Sequence, residues 1–381
     1  MWRVPLFELN YDDRESSAVS NVIASRWLTM GEQIASFENA FSEMIGTDVS
    51  SVAISSCTGA LHIALLAAGV GPGDEVIIPA LTFVADANVV ALSGARPSVA
   101  DCSSLDDWNV SAASIADRIT ERTRAVIVVH FAGYPCDMDD IVSLCRDKNL
   151  VLVEDVAHAP GASYKGRTCG NMGDIGCFSF FTNKNLSVGE GGMLVTSNER
   201  FYQQARYYRS HGMTSLTLDR HKGRAVSYDV MQPGLNYRMD EMRAALGLVQ
   251  LEKLPEANAS RGALVKRYRE RLEGVDQVQV PFQDLGDVQP AWHIFPVLLG
   301  GGVDRLAVME HLKSAGIQSS IHYPSFRDFT AYKSHDFAPT PIADEVSRRE
   351  LTLPLFPTMA FDQVDLVVDE LCGALLEQGL Y

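Results

Sequence analysis

The 381-residue sequence predicts an α/β fold, with a mostly parallel central sheet followed by a smaller α+β unit. Three observations point there. Between residues 50 and 200, short runs rich in Val and Ile alternate with helix-periodic segments, the order that parallel strands joined by crossover helices require. A long helix-periodic stretch follows at 238–271, after which strand-like and helical patterns mix to the C-terminus. Hydrophobic residues make up 46% of the chain, enough for a buried core and a companion domain.

Segments 51–54, 75–78, 125–129 and 150–154 are apolar runs that fit strands buried on both faces. Between them, 58–68, 82–92 and 137–147 carry apolar residues at helical spacing, with Ser56 or Thr58 placed to cap the first helix and Asp137 the last. A glycine-rich turn at 189–192 (GEGG) then leads to a strand-like MLVT and a helix over 198–210. In 238–271 the apolar stripe recurs at spacings of three and four and is interrupted by Pro255. We read it as the connector between a large domain at 1–255 and a small one at 256–381. The small domain, about 120 residues, holds VQVPF, AWHIFPVLL, VDRLAVMEHLKSAG, IQSSIHY and a terminal amphipathic helix over 361–377.

With 48 acidic against 32 basic residues the net charge is −16, the wrong sign for tracking a nucleic-acid backbone. A local pocket of backbone amides can still take a small anion. The N-terminus has no basic start followed by a long apolar run, so no signal peptide or spanning helix is expected, and the reading is cytoplasmic. Seven widely spaced cysteines with no C-x-x-C pair indicate neither a disulfide framework nor a metal site. The N-x-S sequons at Asn109, Asn185 and Asn258 are chance matches in a chain without a secretory signal.

Three constellations carry chemistry. In VLVEDVAHAPGA (151–162) a buried strand ends in Glu154 and Asp155. Ligands of open α/β sheets sit at carboxyl ends of strands, so these acids are site candidates, and a cap for the following turn is the equal alternative. In GDIGCFSFFTNKNLSVGEGGMLVT (173–196) Lys184 stands on a turn between two buried strands. Such a turn can desolvate an amine for Schiff-base chemistry, the alternative being a surface lysine before a glycine hairpin. In SSCTGALHIAL (55–65) small hydroxylated residues open a helix, which makes a phosphate cup or an ordinary N-cap. Together they supply a phosphate anchor, a ring-nitrogen partner and a Schiff-base lysine, the set that pyridoxal 5′-phosphate (PLP) needs.

At this point the sequence resembles the DegT/DnrJ/EryC1/StrS family of PLP-dependent sugar aminotransferases, which have the aspartate-aminotransferase-like fold type I. The resemblance runs nearly end to end through RWLTMGEQIASFENAFSEMIG (26–46), SCTGALHIAL, GPGDEVIIPALTFVADANVV (71–90), GYPCDMD (133–139), VEDVAHAPGA, CFSFFTNKNLSVGEGGMLVT, GLNYRMDEMRAALGLVQLEKL (234–254), IHYP (321–324) and LPLFP (353–357). It implies that Lys184 holds PLP as a Schiff base and Asp155 pairs with the ring nitrogen. His158 is then expected near the ring and its phenolic oxygen, and Phe83 against the ring face. Thr58, the amide of Gly59 and Ser179 are expected to hold the phosphate. Asn236 is expected to reach that phosphate from the neighbouring subunit of a homodimer with shared active sites. His293, His322 and Tyr323 are substrate candidates. Residues 56–61 read S-C-T-G-A-L where many members have an N-G-T-A-A-L type segment.

The implied reaction runs in two stages through pyridoxamine 5′-phosphate. An amino acid, glutamate or glutamine, gives up its amino group, which then passes to a keto group of a nucleotide-linked deoxysugar. The GEGGMLVT wording is more like members that aminate carbon 4. A cyclitol aminotransferase acting on a keto-inositol would use the same set. The family's dehydratase branch carries His in place of the lysine, so Lys184 argues against it, and no fused DNA-binding segment or basic patch supports a PLP-binding regulator.

Overall fold

The computed structural model describes residues 2–214, 227–283 and 286–380. Helices α1 (Asp13–Ser25) and α2 (Glu32–Ile45) precede an alternating run: β1 (Ser50–Ile54), α3 (Cys57–Ala67), β2 (Glu75–Pro79), α4 (Ala85–Leu92), β3 (Arg96–Ala100), α5 (Ala112–Ala116), β4 (Thr123–Val129), α6 (Met138–Asp147) and β5 (Val151–Asp155). The short strands β6 (Ser163–Tyr164) and β7 (Arg167–Thr168) lead to β8 (Ile175–Ser179), β9 (Gly192–Thr196) and α7 (Glu199–Arg209). Seven of these strands form one sheet in the order β1-β9-β8-β5-β4-β2-β3. β9 is antiparallel to both its neighbours, and the remaining pairs are parallel, so six strands point one way. Their carboxyl ends therefore meet along one edge of the sheet, where open α/β sheets place ligands.

The four apolar runs are all strands of this sheet. β3 has no such run, reading RPSVA. It lies at the sheet's edge, where a proline need not cost a ladder hydrogen bond. The helix expected from residue 82 begins only at Ala85. Residues 82–84 form an irregular entry in which the Thr82 hydroxyl bonds the Asp86 carboxyl at 2.5 Å. Ser56, not Thr58, caps α3, its hydroxyl accepting from the N–H of Gly59 at 3.1 Å. Asp137 stands at the N-cap of α6 without a side-chain capping bond, because its carboxylate accepts from the Tyr164 hydroxyl instead.

Helix α8 (Glu241–Leu272) runs unbroken through Pro255, where an interruption was expected. Packing on both sides of the proline explains this. Ala244 and Leu254 join the core beneath the sheet, while Leu264, Val265, Tyr268 and Leu272 join a separate C-terminal core. Burial of two faces outweighs one lost i→i−4 bond. The C-terminal core also takes side chains from β12 (Phe295–Leu299), α9 (Arg305–Ser314), β13 (Glu350–Leu353), which directly follows α10 (Pro341–Arg349), and α11 (Phe361–Glu377). β12 is the centre of a three-stranded antiparallel sheet, with β10 (Val278–Gln279) on one side and β13 on the other, whereas β11 (Val288–Gln289) pairs with β6. The strand-like IQSSIHY is mostly irregular, tied to the rest by single bridges at Ile317 and Ser320. Among the described residues no helix is long and apolar enough to cross a membrane.

Candidate active site

A cavity of about 360 Å³ opens at the carboxyl edge of the large sheet, within the range of ~300–1,000 Å³ usual for cofactor and small-molecule sites. Ser56, Cys57 and Thr58 line it from the start of α3, Thr82 and Phe83 from the turn after β2, and Asp155 and His158 from the end of β5. Ser179 ends β8, and Lys184 follows on the turn that leads to β9. His322 and Tyr323 close the far side from the C-terminal part of the chain. Distant segments thus meet because their strands share direction and edge.

Strand alternation separates the two acids that end β5. Glu154 turns to one face, where it accepts from the N–H groups of Gly170 (2.8 Å), Met172 (2.7 Å) and Gly173 (2.6 Å) and lies 3.0 Å from His130 Nε2. It holds a loop and takes no part in the cavity. Asp155 turns to the other face, its Oδ1 accepting from the Ala157 N–H at 2.8 Å and from the Cys57 thiol at 3.8 Å. Burial raises the Asp155 pKa, while the Ala157 amide and the Lys184 charge oppose the rise. Burial in turn lowers Lys184 to about 8, partly offset by Asp155 and Cys57. Burial thus draws each group toward neutrality while the other draws it toward charge, the balance expected where chemistry needs a proton carrier near neutral pH.

His158 is buried, and its tautomer follows from its partners. The Ala132 N–H donates to Nδ1 at 3.2 Å, so Nδ1 is unprotonated. Burial holds the ring well below the usual histidine pKa, so the ring is neutral and Nε2 carries the proton. Nε2 lies 2.9 Å from the Tyr323 hydroxyl oxygen, which accepts it. The Tyr323 hydroxyl hydrogen is then free to donate. Phe83 is 57% exposed at the mouth, its ring centroid 5.7 Å from that of Tyr323. His322 is pinned by its N–H to Glu350 (2.7 Å) and by Nδ1 beside the Thr352 hydroxyl (2.9 Å).

Three of the residues singled out from the sequence lie off the cavity wall. The Gly59 amide is used by the Ser56 cap, so the first-turn N–H groups of Cys57 and Thr58, which have no intrahelical acceptor, are the donors that α3 offers. Asn236 is exposed, on a segment whose neighbour Tyr237 turns inward to His62 at 3.3 Å. His293 is buried behind Lys184, its Nε2 3.5 Å from Nζ. Sequence reading passed over Asp86, Cys57 and Asn185. Asp86 is buried, with its pKa raised well above the carboxylate range by burial and then by Asp155. Asn185 carried a signal in its place directly after Lys184.

The residues present suit PLP. A helix N-terminus with hydroxyls at Thr58 and Ser179 offers an anion cup, an acid stands at the end of a central strand, and a desolvated lysine flanks both. Sheet, cavity and lysine define a PLP-dependent transferase of fold type I. A family model described as the DegT/DnrJ/EryC1/StrS aminotransferase family matches residues 10–372. The spore coat polysaccharide biosynthesis protein SpsC of Bacillus subtilis is 36% identical over 366 residues, 93% of this chain and 92% of that protein. Among solved structures, the aminotransferase TlmJ from Streptoalloteichus hindustanus superposes with a TM-score of 0.91 at 32% identity, covering 99% of this chain and 100% of its own. Spr1654 from Streptococcus pneumoniae, assigned as a sugar aminotransferase, has a PMP form with a TM-score of 0.91 at 28% identity, covering 99% of this chain and 99% of its own, and a PLP form at 0.89. The chain belongs to the DegT/DnrJ/EryC1/StrS aminotransferase family.

Proposed function

We propose that this aminotransferase moves an amino group from glutamate or glutamine to a keto group, at carbon 4, of a nucleotide-linked deoxysugar. The observation that carries the chemistry is the opposition of Lys184 and Asp155 across one cavity at the sheet's carboxyl edge. The sugar as substrate is supported by relatives such as SpsC and Spr1654, and the carbon position by the GEGGMLVT segment after Lys184.

PLP, when bound, supplies an aldehyde that takes up an amino group and an electron-poor ring that accepts charge from the carbon losing its proton. Lys184 Nζ would hold the aldehyde covalently until the donor amine displaces it. Released, the same nitrogen would carry the proton from the donor's carbon, a task suited to a pKa of about 8. Asp155 would hold a proton on the ring nitrogen, since a cation against its carboxylate opposes the rise that burial causes. Thr58, Ser179 and the first turn of α3 would bind the phosphate. Phe83 would cover the ring, and His158 would orient Tyr323, leaving its hydroxyl hydrogen free to donate to the substrate.

The exposed Asn236 has no place in the cavity of its own chain. Near it Tyr228, Val230 and Met231 expose apolar side chains. This fits a homodimer in which Asn236 completes the phosphate cup of the partner. The substrate is tested by mixing pyridoxamine-loaded protein with candidate keto-sugars and following the return of PLP absorbance. Return with a nucleotide-linked 4-keto-deoxysugar is the expected result. Return only with a keto-inositol would replace this reading with the cyclitol one.

A further inference from the structure

Directly after Lys184 stands Asn185, and groups with no choice of role fix what its amide does. Asn258 Nδ2 donates to the Pro160 carbonyl at 3.0 Å, which turns Asn258 Oδ1 toward Asn185. Asn185 Nδ2 donates to the Ala291 carbonyl at 2.7 Å and to Asn258 Oδ1 at 2.8 Å. Both its protons are then in use, and its Oδ1 faces His293 Nδ1 at 2.9 Å. An amide oxygen only accepts, so Nδ1 carries a proton. The ring is 3% exposed, and burial followed by the Lys184 charge holds its pKa well below the usual range. It is therefore neutral, with a lone pair on Nε2, and that atom lies 3.5 Å from Lys184 Nζ. The backbone on both sides is clamped, the N–H of His293 to the Ala132 carbonyl and the N–H of Ala291 to the Gly133 carbonyl, each at 2.9 Å.

We propose that Asn258, Asn185 and His293 form a one-way hydrogen-bond chain that ends in a lone pair aimed at the Lys184 amine, which makes His293 a positioning residue for that amine. The inference deepens the reading of Lys184 as the cofactor's attachment point and rests on it. A buried histidine that merely filled space would be content in either tautomer. Here two side-chain amides, anchored on the carbonyls of Pro160 and Ala291, select the one that leaves Nε2 open toward Lys184.

An acceptor beside an ammonium favours the charged form, so losing it should lower the Lys184 pKa further below its ordinary value. Other groups around Nζ stay constant in the comparison. Asp155 and Cys57 raise its proton affinity. His158, its ring tilted against that of His293 at 4.5 Å, and His322 face it from their own segments, with Asp86, Glu190 and Tyr323 around the same cavity region.

The test is the titration of Lys184 in the full-length protein freed of cofactor, read by trace acetylation with acetic anhydride across pH and mass spectrometry of the Lys184 peptide. His293→Phe should lower the Lys184 pKa by about one unit, about tenfold in proton affinity. His293→Gln, with an amide nitrogen to donate to Asn185 and an oxygen to accept from Nζ, should restore the titration. Asn185→Leu should shift it in the same direction as His293→Phe and add little on top of it, because both act through one lone pair. An unchanged titration in folded His293→Phe, or full additivity of the two substitutions, overturns the proposal. If His293→Phe does not fold, Asn185→Leu decides alone, and an unshifted Lys184 there overturns it. Borohydride reduction of PLP-loaded wild-type protein is read separately. An adduct anywhere but Lys184 would overturn the attachment reading and leave the titration result standing.

Discussion

Glu154 and Asp155 are consecutive on one strand, both buried, and take opposite faces of β5. On the first face burial by itself would raise the Glu154 pKa, but His130 and the amides of Gly173 and Gly170 bring the net value below the ordinary one. On the second, Asp155 receives one amide and a long thiol contact beside the buried carboxyl of Asp86, and burial wins. The first carboxylate is satisfied by fixed groups of its own chain. The second depends on the lysine that shares its cavity. Buried polar groups are normally saturated, so the acid that fixed groups leave short of donors is the one with room for a ligand.

The sharpest way to break this comparison is to remove the lysine. Lys184→Ala should reduce turnover beyond ~10⁴-fold, the upper end of what general acid–base action supplies, because the same nitrogen also anchors the cofactor. Borohydride should no longer fix cofactor to the protein. Reduced cofactor still attached in that variant would move the assignment elsewhere. Next in size, Asp155→Asn keeps shape but removes charge, and turnover should fall by at least ~10²-fold with PLP binding largely kept. Steady-state rates beside cofactor titration check this, and near-normal turnover would mean that the second face is as structural as the first.

How much of this could be read from the chain depends on range. Apolar runs such as 125–129 and 150–154 declare buried strands because both faces of a parallel sheet are covered. β3 does not, since an edge strand tolerates Arg96 and Pro97. The strand-end acids and Lys184 stood out locally, yet no local signal told Glu154 from Asp155. That choice is made by the 170–173 loop, which supplies three amides to one face only. Pro255 misled in the other direction, because two cores seen only in three dimensions hold α8 continuous. Asn185 and Asn258 read as chance sequons, and only folding places them 2.8 Å apart behind Lys184.

Glu154→Gln tests the structural face. It keeps size but gives up the charge that three amides and His130 address, at a cost of about 1–3 kcal/mol in unfolding free energy. Turnover of the folded variant should stay close to wild type. The pH dependence gives a second check. Because the folded pKa of Glu154 lies below its unfolded value of about 4.3, its contribution is present above that value and lost as pH falls through the folded one. Wild type and Glu154→Gln should therefore differ in denaturant midpoint at neutral pH and converge in acid. A constant gap down to the lowest pH at which both fold would show that the carboxylate's charge is not what stabilises the loop.

The smallest signal comes from asking whether the Asp155 face is complete within one chain, as the Glu154 face is. If Asn236 serves the partner's phosphate cup, Lys184→Ala and Asn236→Ala lesions fall on different sites of a mixed dimer. Each variant alone should be poorly active. Unfolded together in equal amounts and refolded, half of the dimers are mixed, and in each of these one site collects both lesions while the other collects neither. About a quarter of wild-type sites should then return. If Asn236 serves its own chain, every site of a mixed dimer carries one lesion, and activity stays at the average of the two parents. Asn236 is exposed, so the substitution leaves the fold of each chain intact and the comparison clean. Recovery above the parental average would make the second face of β5 a site built by two chains, and its absence would return the whole phosphate cup to α3 and Ser179.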